Sequence, residues 1–216
     1  MRCCNSGRNW WWHFWSISLK DKQQLVAFFV FVVKLFALGD IMNKKIYLAG
    51  GCFWGVEAYF SRLKGVVNAI SGYANGIDTN ATYKNLKNTM HAETVEVEYN
   101  PSVISLKELV IHLFRLIEPD SYNKQGNDIG PQYRTGVYFN EESDFNQINS
   151  IFNILRKKYK NFYVELEPLR HFIHAEEYHQ DYLDKNPNGY CHVNLNVDLN
   201  LSDEERAIIE KSIEND

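Results

Sequence analysis

Residues 45–63 read KIYLAGGCFWGVEAYFSRL, and this stretch decides how the chain begins to fold. Its first part predicts a strand over Lys44–Ala49, and the apolar spacing further on predicts a helix over Val56–Leu63. Between them, glycines on both sides of Cys52 allow a sharp turn and the close approach of a substrate. We therefore expect Cys52 at a helix N-terminus, where free N–H groups and a partial positive charge should help the thiol to lose its proton.

Two interpretations of Cys52 stay open on this stretch alone. Free cysteines are often buried, so the residue could simply fill a tight turn packed with aromatic side chains. Alternatively, it is a reactive thiol, with Phe53 and Trp54 beside it as an apolar recognition wall. The rest of the chain has to distinguish these interpretations.

Length and composition predict one well-filled domain. The chain has 216 residues, 45% of them hydrophobic, which is enough for one core with an appendage. Residues 1–42 carry a net charge of +3, so the overall charge of −4 leaves about −7 for residues 43–216. An acidic domain without basic runs argues against nucleic-acid binding and is typical of an enzyme acting on small molecules or peptides. We expect a monomer in the cytoplasm.

The first 42 residues differ in character from the rest of the chain. Residues 10–15 are aromatic apart from one histidine, and an apolar run over 25–38 resembles the hydrophobic region of a signal peptide. Three alternatives stay open: a non-native upstream extension, a signal or membrane anchor, or an ordered part of the fold. The first two place the domain at residues 43–216, and the second would make the protein exported or membrane-anchored.

The remaining patterns interleave strands and helices without a steady βαβ repeat. Alternation marks the strand Ala92–Tyr99, and Ser105 is a suitable cap for a helix that ends near Ile117. A polar loop over 118–135 is long enough to indicate a functional loop. Further strands are predicted over 65–72, 136–139 and 162–167, and further helices over 141–159, 176–183 and after Ser202. These elements predict an α+β fold with one mixed sheet and helices packed on it.

Separated segments of the domain carry side chains suited to sulfoxide reduction. That reaction needs a thiolate, a neutral acid near the sulfoxide oxygen, hydroxyls that hold this oxygen, an apolar pocket for the methyl group, and a second thiol that clears the sulfenic acid. The candidates, in that order, are Cys52; Glu93; Tyr83 and Tyr133; Phe53 and Trp54; and Cys191. Most of these residues also have an ordinary structural interpretation, as does the turn residue Asp128. Cys191 is the exception, because it lies in a Gly- and Asn-rich tail. Such a flexible segment suits a thiol that must move onto another sulfur better than it suits core packing.

Four motifs in order resemble the A type of the peptide methionine sulfoxide reductase family. They are Gly51-Cys52-Phe53-Trp54-Gly55, His91-Ala92-Glu93, the run from Gln125 to Asp128 with Gln132-Tyr133-Arg134, and Gly189-Tyr190-Cys191. The resemblance covers roughly residues 44–200. It implies a two-layer α/β sandwich of ferredoxin-like type around a mixed sheet.

The resemblance also implies roles for individual residues. Cys52 would be the nucleophile and Glu93 the acid, with Tyr83 and Tyr133 on the sulfoxide oxygen. Asp128 would join their hydrogen-bond network, while Phe53 and Trp54 would form the methyl pocket. Cys191 would be the recycling cysteine, and no metal or other cofactor is implied.

Substrates and reductant are implied by the same resemblance. The family reduces the S epimer of methionine sulfoxide, free or in oxidised proteins, and is regenerated by thioredoxin. Some members carry a second recycling cysteine in the C-terminal tail, but residues 192–216 contain none. The resemblance therefore implies a Cys52–Cys191 disulfide that thioredoxin reduces directly.

Three rival interpretations remain. His174 and His179, with Glu176 between them, suggest a metal site, although their spacing of five differs from the usual four on a helix. Cys52 could instead be the acylated nucleophile of a hydrolase with a histidine base. The domain could also be a redox-sensing or binding module without catalysis.

Overall fold

The computed structural model describes residues 43–191 and 193–214. The predictions made for residues 1–42, and the question of location that depends on them, lie outside the described residues. None of the helices in the described part of the chain is long and apolar enough to cross a membrane.

A six-stranded mixed sheet organises the described residues. Its strands are β1 (Lys44–Gly50), β2 (Val66–Ala74), β3 (Ala92–Tyr99), β6 (Thr135–Phe139), β7 (Glu165–Pro168) and β8 (Phe172–His174). They lie in the order β7-β6-β1-β3-β2-β8, and all neighbours are antiparallel except β6 and β7, which are parallel. The short strands β4 (Lys124–Gln125) and β5 (Asp128–Ile129) form a separate hairpin.

Helices follow the strands and cover the sheet. They are α1 (Phe53–Phe60), α2 (Leu86–Thr89), α3 (Leu106–Phe114), α4 (Glu142–Leu155), α5 (Tyr182–Lys185) and α6 (Asp203–Ile213). Ser105 and Ser202 cap α3 and α6, each with a glutamate three residues later that completes a capping box. Single 3-10 turns lie at Tyr83–Asn85, Pro131–Tyr133, Arg156–Lys158 and Glu177–His179.

The alternation of β1 divides the core between the two faces of the sheet. Ile46 and Leu48 point into the larger cluster, which contains the apolar faces of α1, α3 and α4. Tyr47 and Ala49 point to the opposite face, where Phe172 packs against the Tyr47 ring at 5.1 Å between centroids. The predicted α+β architecture with a mixed sheet is confirmed.

The structure differs from the sequence prediction mainly where elements are short. The predicted helix over 176–183 is instead a 3-10 turn and the short helix α5, separated by Asp181 in a left-handed conformation with φ of 50°. Strand β8 was missed, because its three residues pair with the edge of β2 and show no periodicity of their own. The helical turns at residues 83–89 were also missed, because elements of three and four residues are too short to show a helical period.

Candidate active site

Cys52 lies at the turn between β1 and α1, as the sequence predicts. It is the residue that precedes the first turn of α1, and Gly51 before it adopts a φ of 84°, which glycine tolerates best. The thiol is nevertheless almost fully enclosed, with 7% of the residue exposed. The turn therefore directs the sulfur into a covered site.

This enclosure reverses the expected acidity of the thiol. Burial raises the pKa of Cys52, and the nearby carboxyl groups of Glu93 and Asp128 raise it further. The backbone N–H of Trp54 at the start of α1 lowers the pKa, but by less than burial raises it. The prediction of an acidified thiol is therefore wrong, because desolvation raises the pKa of Cys52 by more than the backbone N–H of Trp54 lowers it.

Glu93 faces Cys52 from the second position of β3, opposite Tyr73 of β2. The residue is 1% exposed, and burial raises its pKa to about 8, so the carboxyl is largely protonated at neutral pH. Its Oε2 accepts a hydrogen bond from the backbone N–H of Phe53 at 3.2 Å. Oε1 is buried and has no hydrogen-bond partner among the described residues. The carboxyl thus offers a proton at Oε1.

Two phenols complete the polar side of the site. Tyr83 begins one 3-10 turn and Tyr133 ends another, and the two phenol side chains interact with each other. Burial is the main cause that raises the pKa of both phenols, and the carboxyl of Glu93 adds to it. Asp128 interacts electrostatically with both phenols and accepts a hydrogen bond from Tyr190 at 3.4 Å. Hydroxyl donors therefore lie beside the acid.

Aromatic rings form a further wall of the site. Trp54 stacks on Tyr182 with ring centroids 3.7 Å apart, and Phe53 is 1% exposed. His179 lies among these rings, with centroids 5.1 Å from Phe53 and 4.5 Å from Tyr83. Such a wall suits a methyl or methylene group.

His179 is a part of the site that sequence reasoning missed. The histidine-rich run suggests a metal site, but His179 Nδ1 accepts a hydrogen bond from the indole N–H of Trp54 at 3.1 Å. Burial lowers the pKa of His179, and in the neutral ring an Nδ1 that accepts from the indole leaves the proton on Nε2. Within residues 43–191 and 193–214, no three His, Cys, Asp or Glu side chains are grouped as metal ligands. His174 lies on β8, where it pairs with Gly72 of β2.

A carboxylate shortly before His179, that of Glu176, holds the backbone of Tyr83. Glu176 Oε1 accepts from the backbone N–H of Tyr83 at 3.2 Å, and its Oε2 accepts from the hydroxyl of Tyr73 at 2.6 Å. The only hint in the sequence was the proximity of Glu176 to the histidines, which by itself indicates nothing about Tyr83.

Cys191 packs against the first turn of α1. A β carbon placed on Gly55 would lie 2.8 Å from Cys191 Sγ, so the absence of a side chain at Gly55 makes room for this sulfur. Cys191 is half-buried, and its thiol contacts the carbonyl of Val193 at 3.2 Å. Cys52 and Cys191, the two cysteines among the described residues, are both free. The tail therefore holds Cys191 close to Cys52, with which it interacts electrostatically, instead of leaving it loose in solvent.

Comparison with known proteins finds a matching family and similar solved structures. A sequence profile described as peptide methionine sulfoxide reductase matches residues 44–210. The chain is similar to the reduced form of Mxr1 from Saccharomyces cerevisiae, with a TM-score of 0.66, 41% identity, and coverage of 69% of this chain and 88% of that one. It is also similar to methionine sulfoxide reductase A of Corynebacterium diphtheriae, with a TM-score of 0.64, 33% identity, and coverage of 71% and 79% respectively.

Proposed function

The chain belongs to the peptide methionine sulfoxide reductase family and is an oxidoreductase, and on that premise we propose that Cys52 is the nucleophile that removes the sulfoxide oxygen. The observation that carries this proposal is the pairing of the enclosed Cys52 thiol with a neutral carboxyl. Glu93 has a pKa of about 8, and its Oε1 has no hydrogen-bond partner in the part of the chain that the structure describes, as expected of a proton donor that waits for a substrate oxygen.

The first step transfers one oxygen atom from the substrate to Cys52, and it takes up no proton from solvent. Cys52 sulfur attacks the sulfur of methionine sulfoxide while Glu93 Oε1 delivers its proton to the departing oxygen. The attack forms a transient bond between the two sulfurs. The hydroxyl then passes from the methionine sulfur to Cys52, so the S–O bond of the substrate and the transient S–S bond break, an S–O bond to Cys52 forms, and the thiol proton returns to the Glu93 carboxylate. Methionine is reduced by two electrons, and Cys52 is oxidised to a sulfenic acid. A protonated resting thiol is compatible with this step, because Glu93 can both give and take the proton.

The remaining polar and aromatic groups select the substrate. Tyr83 and Tyr133 donate hydrogen bonds to the sulfoxide oxygen, and Asp128 helps to orient their hydroxyls. Phe53 and Trp54 receive the S-methyl group, whose burial contributes roughly 1 kcal/mol to binding. Separate contacts for the oxygen and for the methyl group would admit one epimer of the sulfoxide better than the other, and the resemblance to the family implies the S form.

The second step uses Cys191. Its thiol attacks the sulfenic sulfur of Cys52, an S–S bond forms, and the oxygen leaves as water. Packing of Cys191 against Gly55 supports this step, because it keeps the second sulfur next to the turn that bears the first. An external dithiol then reduces the disulfide to two thiols and becomes a disulfide itself. We propose thioredoxin as this dithiol, and free methionine sulfoxide and oxidised proteins as substrates, so that the enzyme serves protein repair.

The test is a reaction without reductant. Reduced protein mixed with excess methionine S-sulfoxide should release about one methionine per chain, and mass spectrometry after thiol blocking should find a Cys52–Cys191 linkage. Cys191→Ser should release the same methionine, retain a sulfenic acid that a dimedone probe labels, and stop after one turnover with thioredoxin.

Other outcomes would support a rival. Unimpaired multiple turnover of Cys191→Ser with thioredoxin would contradict the recycling role of Cys191. Failure of the wild type to release methionine, with thioredoxin or with dithiothreitol, would favour a non-catalytic redox module.

A further inference from the structure

The two phenols of the site lie on separate irregular segments. Tyr83 lies on the excursion that leaves β2 at Asn75 and reaches β3 after Met90. Tyr133 ends the 3-10 turn that begins at Pro131. Because neither hydroxyl is placed by a long helix or strand, the distance between them depends on what ties these segments together.

Arg134 ties the segments together through their backbone carbonyls. Its Nη1 donates to the carbonyl of Met90 at 2.9 Å and to that of Pro131 at 3.1 Å. Its Nη2 donates to the carbonyl of Asn75 at 3.2 Å, and Arg170 Nη2 donates to the same carbonyl at 2.7 Å. One guanidinium therefore holds both ends of the excursion that carries Tyr83 and the start of the turn that carries Tyr133.

The guanidinium is itself anchored in the sheet. Arg134 Nε donates to Glu165 Oε2 at 3.0 Å, and the hydroxyl of Tyr138 donates to the same oxygen at 2.7 Å. Tyr138 lies on β6 and Glu165 on the neighbouring β7, so both anchors belong to regular elements. The Arg134 side chain is 13% exposed. Burial of the guanidinium limits competition from water for these bonds.

We propose that Arg134 is a positioning residue for the reduction step. It sets Tyr83 and Tyr133 at the spacing that the sulfoxide oxygen requires. This inference rests on the proposed function of the phenols and goes beyond it, because Arg134 acts through their backbone segments. Arginine suits the role because its planar fork carries donors in several fixed directions. A lysine presents three donors from one nitrogen and cannot reach all of the acceptors that Arg134 serves.

The test is the first turnover of Arg134→Lys. Reduced protein is mixed with excess methionine S-sulfoxide, and the release of methionine is followed by rapid quenching. We expect the rate constant to fall by ~10- to 100-fold, because small errors in the placement of transition-state donors are costly. The half-saturating concentration should change little, since the aromatic wall lies on other segments. An amplitude of about one methionine per chain shows that the whole population is folded and active.

A double-mutant cycle separates positioning from general damage. In a Tyr83→Phe, Tyr133→Phe background the hydroxyls are gone, so Arg134→Lys should have little further effect on the rate constant. Arg115→Lys is the matched control, because Arg115 also donates to a carboxylate, that of Glu205, and to two backbone carbonyls. Those groups belong to the C-terminal tail, so this control should lose stability without losing the first-turnover rate.

Glu165→Gln provides a second variant in case Arg134→Lys does not fold. It leaves every carbonyl with its guanidinium donor but weakens the anchor of Arg134. The expected result is a smaller fall in rate that also vanishes in the double-phenylalanine background.

The outcomes separate this inference from the function on which it rests. An unchanged first-turnover rate in both variants, or a loss of equal size in the double-phenylalanine background, would overturn the positioning role while leaving the proposed reaction intact. If the wild type released no methionine, or the two phenol replacements together cost no rate, the proposed function of the phenols would fail instead.

Discussion

Replacement of Glu93 by glutamine tests the central premise that a neutral, buried carboxyl serves as the acid. The amide has nearly the same shape, and its oxygen can still accept from the N–H of Phe53, but it cannot deliver a proton. The first-turnover rate constant should therefore fall by ~10²- to 10⁴-fold. Saturation by methionine sulfoxide should change far less, because the acid acts in the transition state.

The same replacement should reveal the energetic cost of burying Glu93. Its pKa rises from 4.5 to about 8 in the folded protein. Between these values the unfolded chain has lost the proton that the folded protein keeps, so the wild type loses stability as pH rises. The loss is about 1.4 kcal/mol per pH unit, or on the order of 5 kcal/mol by pH 8, and above that pH it stops growing. Glutamine does not titrate and avoids this loss.

The assay is urea unfolding of both proteins at pH 5, 6, 7 and 8. The unfolding free energy of Glu93→Gln minus that of the wild type should increase by about 1.4 kcal/mol per pH unit across this range. Glu57, whose pKa burial raises to about 7, contributes equally to both proteins and cancels in the difference. In parallel, the wild-type kcat/KM should decline as pH rises through about 8, where Glu93 ionises.

A stability difference that stays constant from pH 5 to pH 8 would refute the reasoning, since Glu93 would then ionise normally in the folded protein. A Glu93→Gln variant that keeps the wild-type rate would refute the role of the acid even if the stability difference behaved as expected.

Two further replacements test the pocket and the second thiol. Trp54→Ala removes the ring that stacks on Tyr182 and should raise KM for methionine sulfoxide roughly 5-fold, the equivalent of about 1 kcal/mol of methyl burial; steady-state kinetics with an unchanged KM would exclude the indole from the pocket. Gly55→Ala places a β carbon 2.8 Å from Cys191 Sγ and should displace this sulfur. Disulfide formation and thioredoxin-supported turnover should then slow while the first release of methionine keeps its rate; equal slowing of both steps would indicate damage to the Cys52 turn instead.

Much of the fold could be predicted because local patterns encode it. The alternating pattern over Ala92–Tyr99 predicts a strand with its observed bounds, and both serine caps begin helices as expected. The glycine-flanked turn at Cys52 was also predictable, because a positive φ at Gly51 is a local backbone requirement. Strand β8 could not be predicted, since three residues become a strand only when an edge such as that of β2 is present to pair with them.

The residues of the candidate site could be named from the sequence, but their environment could not. The chemistry of sulfoxide reduction predicts a neutral acid at Glu93, and the enclosure of this residue between strands and α1 supplies the physical cause. The prediction for the acidity of Cys52 has the wrong direction. The sequence shows the helix start that favours the thiolate but does not show how completely the site excludes water.

The amino-acid sequence by itself determined the turn that bears Cys52, the periodic strands and helices, and the set of side chains available for chemistry. Each of these depends on residues that are near neighbours along the chain. Only the tertiary structure decided that His179 would hold Trp54, that Arg134 would join the segments of two phenols, and that burial would control the pKa of Cys52. Desolvation and hydrogen bonds between distant segments arise only when the chain has folded, so no local pattern encodes them.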